Sequence, residues 1–525
     1  MMFQSILGIQ QILAPILVLS FAGVLPAQVP VQTESVKPGK IAIELRYSEK
    51  AFAGPFTGRV HLIWMPNDNP SPPRMPNWGN PFPHHFVDVR DWKAGVPLVI
   101  GEDAKGYPAE LGKITKRKGS LLAVMDRNLG GISFGASPGN VWGATPSGEW
   151  DPAKGLAANI TLDRIVPEDS FLEADRVKLV RIKSPLLSSF SKREVFQQAA
   201  IVLPEGYDPK RPELYPFLVD ISGFGGDHRS HGRYSRPGGT RFDGVDFVVI
   251  VPDPNCRFGH HVFADSDNNG PVGTAFVTEF LPEIEKRYHC GGKRDYRLLT
   301  GHSSGGWSSL WLMVAYPAYF GGTWSTAPDP VDFHDFQKID LYQPKSNIFT
   351  DEGGKLRPLS RGGRAMIYKN FHDMEQPMKR GGQLQSFQAV FGPIGDDGFP
   401  KPLWDNTGKT DPSVFEHWKP YDIVAKIERE WPKNASLLKG RIRVYMGTQD
   451  TFLLEGAVVR LKALMDKLDP TATVELVEGK DHGSLMTQEL VTKIRKGMAT
   501  ASGSPRTESA KDPANDGARQ PVKTK

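Results

Sequence analysis

The run Gly301-His302-Ser303-Ser304-Gly305-Gly306 constrains this chain more than any other stretch. Before it, residues 296–300 (YRLLT) read as a short buried strand. After it, 307–316 (WSSLWLMVAY) read as a helix stopped by Pro317. A turn this tight needs flanks almost free of side chains, which Gly301 and Gly305 supply. It holds the hydroxyl of Ser303 out above a sheet, at the positive end of the following helix. Strand, Gly-x-Ser-x-Gly and helix in succession are the context of a nucleophile elbow. A glycine-rich turn joining two buried elements is the plainer reading of the same residues.

The surroundings of the turn predict an α/β domain over 176–500. Residues 176–182, 197–203, 215–221, 247–251, 442–446 and 473–477 read as strands, several of them continuously apolar. Residues 275–288, about 456–468 and about 485–498 read as helices, the first carrying Pro282 as a source of a kink. Strands buried on both faces and alternating with amphipathic helices imply a mostly parallel sheet. Between them, 326–439 is loose in pattern and rich in Gly, Pro, Asp and aromatic residues. It is too long for a plain loop and reads as an insertion, either a lid over the site or a structural excursion.

The N-terminal third has a different period. Residues 41–47 (IAIELRY) alternate strictly, and 59–65, 98–100, 121–125 and 160–166 are further short strand candidates between Pro/Gly/Asn-rich turns. This predicts an all-β, immunoglobulin-like sandwich over 41–170, with the acidic, aperiodic stretch 167–175 as the boundary. Trp78, Trp92, Trp142 and Trp150 read first as packing and second as a platform for a sugar or flat ligand. His84 and His85 have no carboxylate or cysteine at metal-ligand spacing and read as surface histidines.

At 525 residues the chain exceeds what one core usually serves. Its net charge of +5 is small for that length and no Lys/Arg run stands out, so a nucleic-acid partner is not expected. Residues 1–27 read as a secretory signal: an apolar stretch at 12–25, broken by Pro15, with Ala27 as the small residue before cleavage. No Lys or Arg precedes that stretch, and an uncleaved anchor is the alternative. With 28–40 as a linker and the polar 501–525 as a disordered tail, the expected product is secreted or periplasmic, without a membrane partner after cleavage. Cys256 and Cys290 leave both a single disulfide and two free thiols open.

A serine hydroxyl needs an adjacent base, and in open α/β sheets functional groups gather beyond the C-terminal ends of the strands. There, Asp450 follows 442–446 and His482 follows 473–477, giving the order Ser303, Asp450, His482. In this reading His482 takes the proton of Ser303 and Asp450 orients the imidazole. Asp481 and Glu455 are rival acids, and His302, inside the elbow, reads as a structural residue pointing away from the site. A tetrahedral intermediate needs N–H donors. One is expected from Ser304, the other from the glycine-rich loop after 215–221, with Phe224 first and Gly225 second. That loop lacks both the Lys-Ser/Thr ending of a P-loop and dinucleotide spacing. His228 and His231, at i and i+3, could face a metal, but serine chemistry needs neither metal nor cofactor, and none is expected.

Taken together, 202–207 (VLPEGY), 215–217 (YPF), 223–227 (GFGGD), 251–253 (VPD), the elbow, Gly447 to Asp450 and His482-Gly483 resemble the esterase D-type branch of the α/β-hydrolases, over about 195–490. That branch includes feruloyl, acetylxylan and enterochelin esterases. Its members usually carry His-Gly at the oxyanion loop, where this chain has Ser222-Gly223. The resemblance implies the fold and a serine esterase reaction; joined to the signal reading, the expectation is an exported serine esterase, with an acyl ester of a polysaccharide as the first substrate expected and a siderophore ester as the next. Two other functions fit the motifs: a serine peptidase with an accessory domain, marked by pocket carboxylates for a peptide amino terminus, and a non-catalytic carbohydrate-binding protein whose triad fails to assemble.

Overall fold

Two stretches, Phe217–Ile221 (FLVDI) and Val248–Pro252 (VVIVP), are buried along their whole length, as strands covered on both faces must be. They lie in the middle of an eight-stranded sheet in a computed structural model that describes residues 41–505, apart from 69, 169 and 363–365. The expected signal, the linker and residues 506–525 of the expected tail lie outside the described residues. Across the sheet the order is Val177–Lys183, Phe196–Val202, Val248–Pro252, Phe217–Ile221, Arg297–His302, Gly322–Thr326, Ile442–Gly447 and Thr473–Val477. The last six pair in parallel, and Phe196–Val202 pairs antiparallel with both of its neighbours.

The elbow helix, Ser304–Ala315, is buried on nearly every side between the sheet and the helix Ile423–Leu438. Val272–Arg287 is one continuous helical stretch with a π turn at Phe276–Phe280. The wide turn sits where Pro282 lacks an N–H for the regular ladder. The final helix, Gln488–Ser502, runs two residues into what reads in the sequence as tail. Residues 326–439 are not featureless: they hold helices at Tyr368–Glu375, Gln383–Phe391, Pro412–Trp418 and Ile423–Leu438. Cys256 and Cys290 are both free thiols.

The N-terminal third is β-rich. Ile41–Tyr47 pairs with Leu98–Ile100 and Leu156–Leu162 in a three-stranded sheet. A larger, antiparallel sheet is built on Phe56–Met65, His84–Trp92 and Arg117–Met125. Inward residues of both sheets, among them Ile43, Leu45, Val60, Leu62, Leu121 and Ala123, form one apolar core. His84 and His85 are not surface residues: they open a strand and are 4% and 0% exposed. His61 Nδ1 and His84 Nε2 lie 2.8 Å apart beside Phe134. Burial lowers the pKa of His84 to about 3 and that of His85 to about 4, so both are neutral near pH 7.

A fully enclosed ion pair joins this region to the insertion. Arg380 and Asp126 are 2% and 5% exposed, and the guanidinium reaches both carboxylate oxygens. Its remaining N–H groups donate to the carbonyls of Asn128, Gly131 and Arg257. Among the described residues no helix is long and apolar enough to cross a membrane.

Candidate active site

Gly301 and Gly305 are required by close approach. A Cβ on Gly305 would stand 1.9 Å from the carbonyl oxygen of Ile221, and one on Gly301 would stand 2.2 Å from that of Gly305. Between them Ser303 takes φ 60° and ψ −125°, a conformation costing about 1–3 kcal/mol. Its own N–H is anchored on the Thr326 carbonyl at 3.0 Å, and its carbonyl accepts the Trp307 N–H at 3.0 Å.

Asp450 and His482 come from the loops after the last two strands, and those loops are stitched together. The Thr448 N–H donates to the Val477 carbonyl and the Gln449 N–H to the Lys480 carbonyl, each at 3.0 Å. Gly447 lies against Lys480 so closely that a Cβ would sit 2.1 Å from its carbonyl oxygen. Asp450 is fully buried; one carboxylate oxygen accepts the Phe452 N–H at 2.8 Å and the other meets His482 Nδ1 at 2.7 Å. With Nδ1–H donating to the carboxylate, Nε2 is left as the acceptor. The imidazole is held edge-on by Phe452, with ring centroids 4.9 Å apart.

Ser303, His302 and His482 line one cavity of about 300 Å³, walled mainly by Trp78, Phe224, Phe371, Phe387, Phe452 and Leu384. Contrary to the sequence reading, His302 does not point away from it. Its ring packs on that of His482 at 4.7 Å, and burial lowers its pKa to about 4, so it stays neutral beside the second imidazole. The rival acids are engaged elsewhere. The Asp481 carboxylate accepts the Ser484 N–H in its own exposed turn. Burial works against ionising Glu455, but hydrogen bonds from Arg361 and Lys338 prevail and hold it at about 2. Arg361 also donates to the backbone carbonyl of Asp450, so this ion pair braces the acid loop.

Gly223 faces the serine: a Cβ there would be 3.2 Å from Ser303 Cβ and 3.8 Å from its Oγ. The turn that follows is closed by the Gly226 N–H on the Gly223 carbonyl, with Gly225 at φ 82° and Phe224 on the cavity wall. The Ser222 carbonyl receives His260 Nε2 at 2.9 Å, so a histidine from another element ties this loop down. Ser304 is the first residue of the elbow helix, where backbone N–H groups have no partner within the helix.

One acid in the cavity has no counterpart in the sequence reading. Asp329 follows the strand Gly322–Thr326, and its Oδ2 accepts the Ser304 hydroxyl at 2.5 Å. Burial pushes its carboxyl up to about 6, the Asp450 charge adding to the shift and the Ser304 hydroxyl opposing it. Gln383 Nε2 approaches the same hydroxyl at 3.4 Å. Gln383 opens the helix Gln383–Phe391, whose N-terminal N–H groups are capped by the buried Glu375 carboxylate. The signal for Asp329 was a strand end, as for Asp450. The strand GTWST escapes notice because small and hydroxyl side chains fill its buried positions.

His228 and His231 do not converge on a metal site. His228 lies 3.3 Å from Asp253, and His231 Nδ1 is 2.8 Å from Ser235 Oγ. Among the described residues no group of three or more His, Cys, Asp or Glu side chains could hold a metal ion.

The model of the Esterase family, described as "Putative esterase", matches residues 197–483. No curated protein matches the chain. Among solved structures, a ferulic acid esterase matches with a TM-score of 0.38 and 14% identity, covering 62% of this chain and 98% of that one. An S-formylglutathione hydrolase from Agrobacterium tumefaciens matches with a TM-score of 0.37 and 15% identity, covering 64% and 98%. Dipeptidyl peptidase 4 from Porphyromonas gingivalis matches with a TM-score of 0.37 and 13% identity, covering 80% of this chain and 46% of that one.

Proposed function

The chain belongs to the Esterase family of α/β-hydrolases and is an esterase; from that premise we propose that it cleaves carboxylic esters through an acyl-enzyme on Ser303. His482 Nε2 takes the serine proton as Oγ attacks the ester carbonyl, and Asp450 stabilises the imidazolium that forms. The negative oxygen of the tetrahedral intermediate is received by the backbone N–H groups of Ser304 and Phe224. Collapse expels the alcohol, which takes the proton from His482. Water, deprotonated by the same histidine, then releases the acid and restores Ser303. The observation that carries this reading is the 2.7 Å bond between Asp450 and His482, on a histidine that opens into the cavity Ser303 lines.

At about 300 Å³ the cavity is at the small end for ligand sites. It admits one compact group, and a longer alcohol such as a sugar chain stays outside. An acyl ester of a polysaccharide suits that division, with a siderophore ester as the next choice. The serine-peptidase reading draws on Asp329, the one carboxylate among the residues lining this cavity, but its Oδ2 is already taken by Ser304. We further read residues 1–27 as an export signal. The β-rich region at 41–170 we read as an immunoglobulin-like accessory sandwich, a view supported by two sheets sharing one core. The catalytic domain is assigned to 176–500, with 326–439 as its insertion.

The test is a fluorophosphonate probe on purified wild type and Ser303→Ala, with p-nitrophenyl acetate and methyl ferulate turned over by the same pair. Labelling and turnover present in wild type and lost together in the variant are expected. An unlabelled, well-folded wild type would end the acyl-enzyme reading.

A further inference from the structure

The cavity wall is not built from the α/β portion alone. Trp78 lies on the long connection between the strands Phe56–Met65 and His84–Trp92 of the N-terminal β region, more than 200 residues before Ser303 in the chain. It nevertheless lines the catalytic cavity. Its indole stacks on Phe224 with centroids 5.7 Å apart and planes at 21°, and meets Phe371 and Phe452 edge to face at 5.2 and 6.3 Å. Phe371 belongs to the insertion and Phe452 to the acid loop, so one indole touches three separate walls.

The same connection follows the oxyanion loop residue by residue. The methyl of Met75 reaches Gly225, where a Cβ would stand 2.8 Å from it, and the Arg74 guanidinium lies 3.7 Å from the Asp227 carboxylate. Three contacts in order, onto 224, 225 and 227, make a docked strap. An indole there supplies a wide, flat, rigid face at little conformational cost.

We propose that Trp78 is a specificity-determining residue: the N-terminal β region completes the cavity, and the indole is the face against which a flat apolar part of the ester, aromatic or alkenyl, is bound. This rests on the esterase reading above and extends it to the chemical class of the bound group. A Trp78→Ala change opens one wall of a small cavity. It costs substrates that use the indole face and costs much less for substrates too small to reach it.

The experiment compares full-length wild type, Trp78→Ala and Trp78→Phe on two ester series. One varies the acid from acetyl through butyryl to benzoyl and cinnamoyl as p-nitrophenyl esters. The other varies the alcohol of acetate esters from methyl to naphthyl. In one series, the kcat/KM ratio of the flat aryl member to the smallest member should fall about tenfold in Trp78→Ala, mainly through KM. Trp78→Phe, which keeps a flat ring, should recover most of that ratio. Unchanged ratios in both series, or a parallel fall for every ester, would overturn the proposal; thermal melting of each variant shows that the ratio comes from folded protein. Persistent fluorophosphonate labelling of Ser303→Ala would overturn the serine reading instead, because the substrate ratios test the Trp78 wall whichever residue is the nucleophile.

Discussion

The sheet carries two histidine–carboxylate pairs, each with its acid just past a strand end, and they differ in what surrounds them. In the first, His482 Nδ1 meets Asp450 at 2.7 Å, the acid makes its other hydrogen bonds to its own loop, and the imidazole opens into the cavity with Ser303. In the second, His228 Nδ1 stands 3.3 Å from Asp253 without a hydrogen bond's alignment. That carboxylate also serves Gln198 and the Asn255 N–H, and Phe171 stacks over the histidine at 5.6 Å. The chemistry on offer is the same in both. On the proposed mechanism, an imidazole serves as base where its carboxylate is aligned on it and the ring borders open space beside the serine. The second pair has neither and serves packing.

The sharpest test exchanges the two histidines for glutamine. His482→Gln should lower kcat on p-nitrophenyl acetate by about 10⁴- to 10⁶-fold. His228→Gln should leave kcat within about threefold and lower stability by about 1–3 kcal/mol in urea melts. Comparable losses of kcat from both would erase the distinction. Asp450→Asn should cost about 10³- to 10⁴-fold in kcat by forcing the wrong tautomer, whereas Asp253→Asn should keep steady-state rates near wild type.

Asp329 adds a third case, a carboxylate in the cavity with no histidine of its own. Its folded pKa, about 6, is above the unfolded value, so its ionisation opposes folding as pH rises through that range. Measured against wild type, the stability of Asp329→Asn should improve by about 2 kcal/mol between pH 4 and pH 7. A difference that stays flat with pH would mean the acid is solvated. The smallest effect is expected from Phe171→Ala, which uncovers His228. It should cost about 1–2 kcal/mol in thermal melting and leave ester turnover unchanged.

What the chain reveals about itself follows from where each signal lies. Ser303, Asp450 and His482 could be picked out because each stands at the end of a short apolar run, and the order of those runs limits the choice. Strand and helix positions along the sheet were legible for the same reason, apart from Gly322–Thr326, whose burial is not matched by apolar side chains. Trp78 could be seen only as one of several tryptophans. Its role is set by a fold that brings a residue of the β-rich region onto a loop about 150 residues further on, and no local pattern encodes such a distance. His84 and His85 misled because an adjacent pair of polar rings suggests a surface. Here one faces His61 and the other gives its ring nitrogen to the Ala109 carbonyl.

The enclosed pair of Arg380 and Asp126 bears on how the molecule is made. Synthesis delivers the carboxylate 254 residues ahead of the guanidinium that neutralises it. Burial raises the pKa of the Asp126 carboxyl and Arg380 opposes that shift, so without the guanidinium the acid is pushed toward its neutral form. Removing either partner would leave the other buried and unpaired, so the seam between the β-rich region and the insertion depends on both.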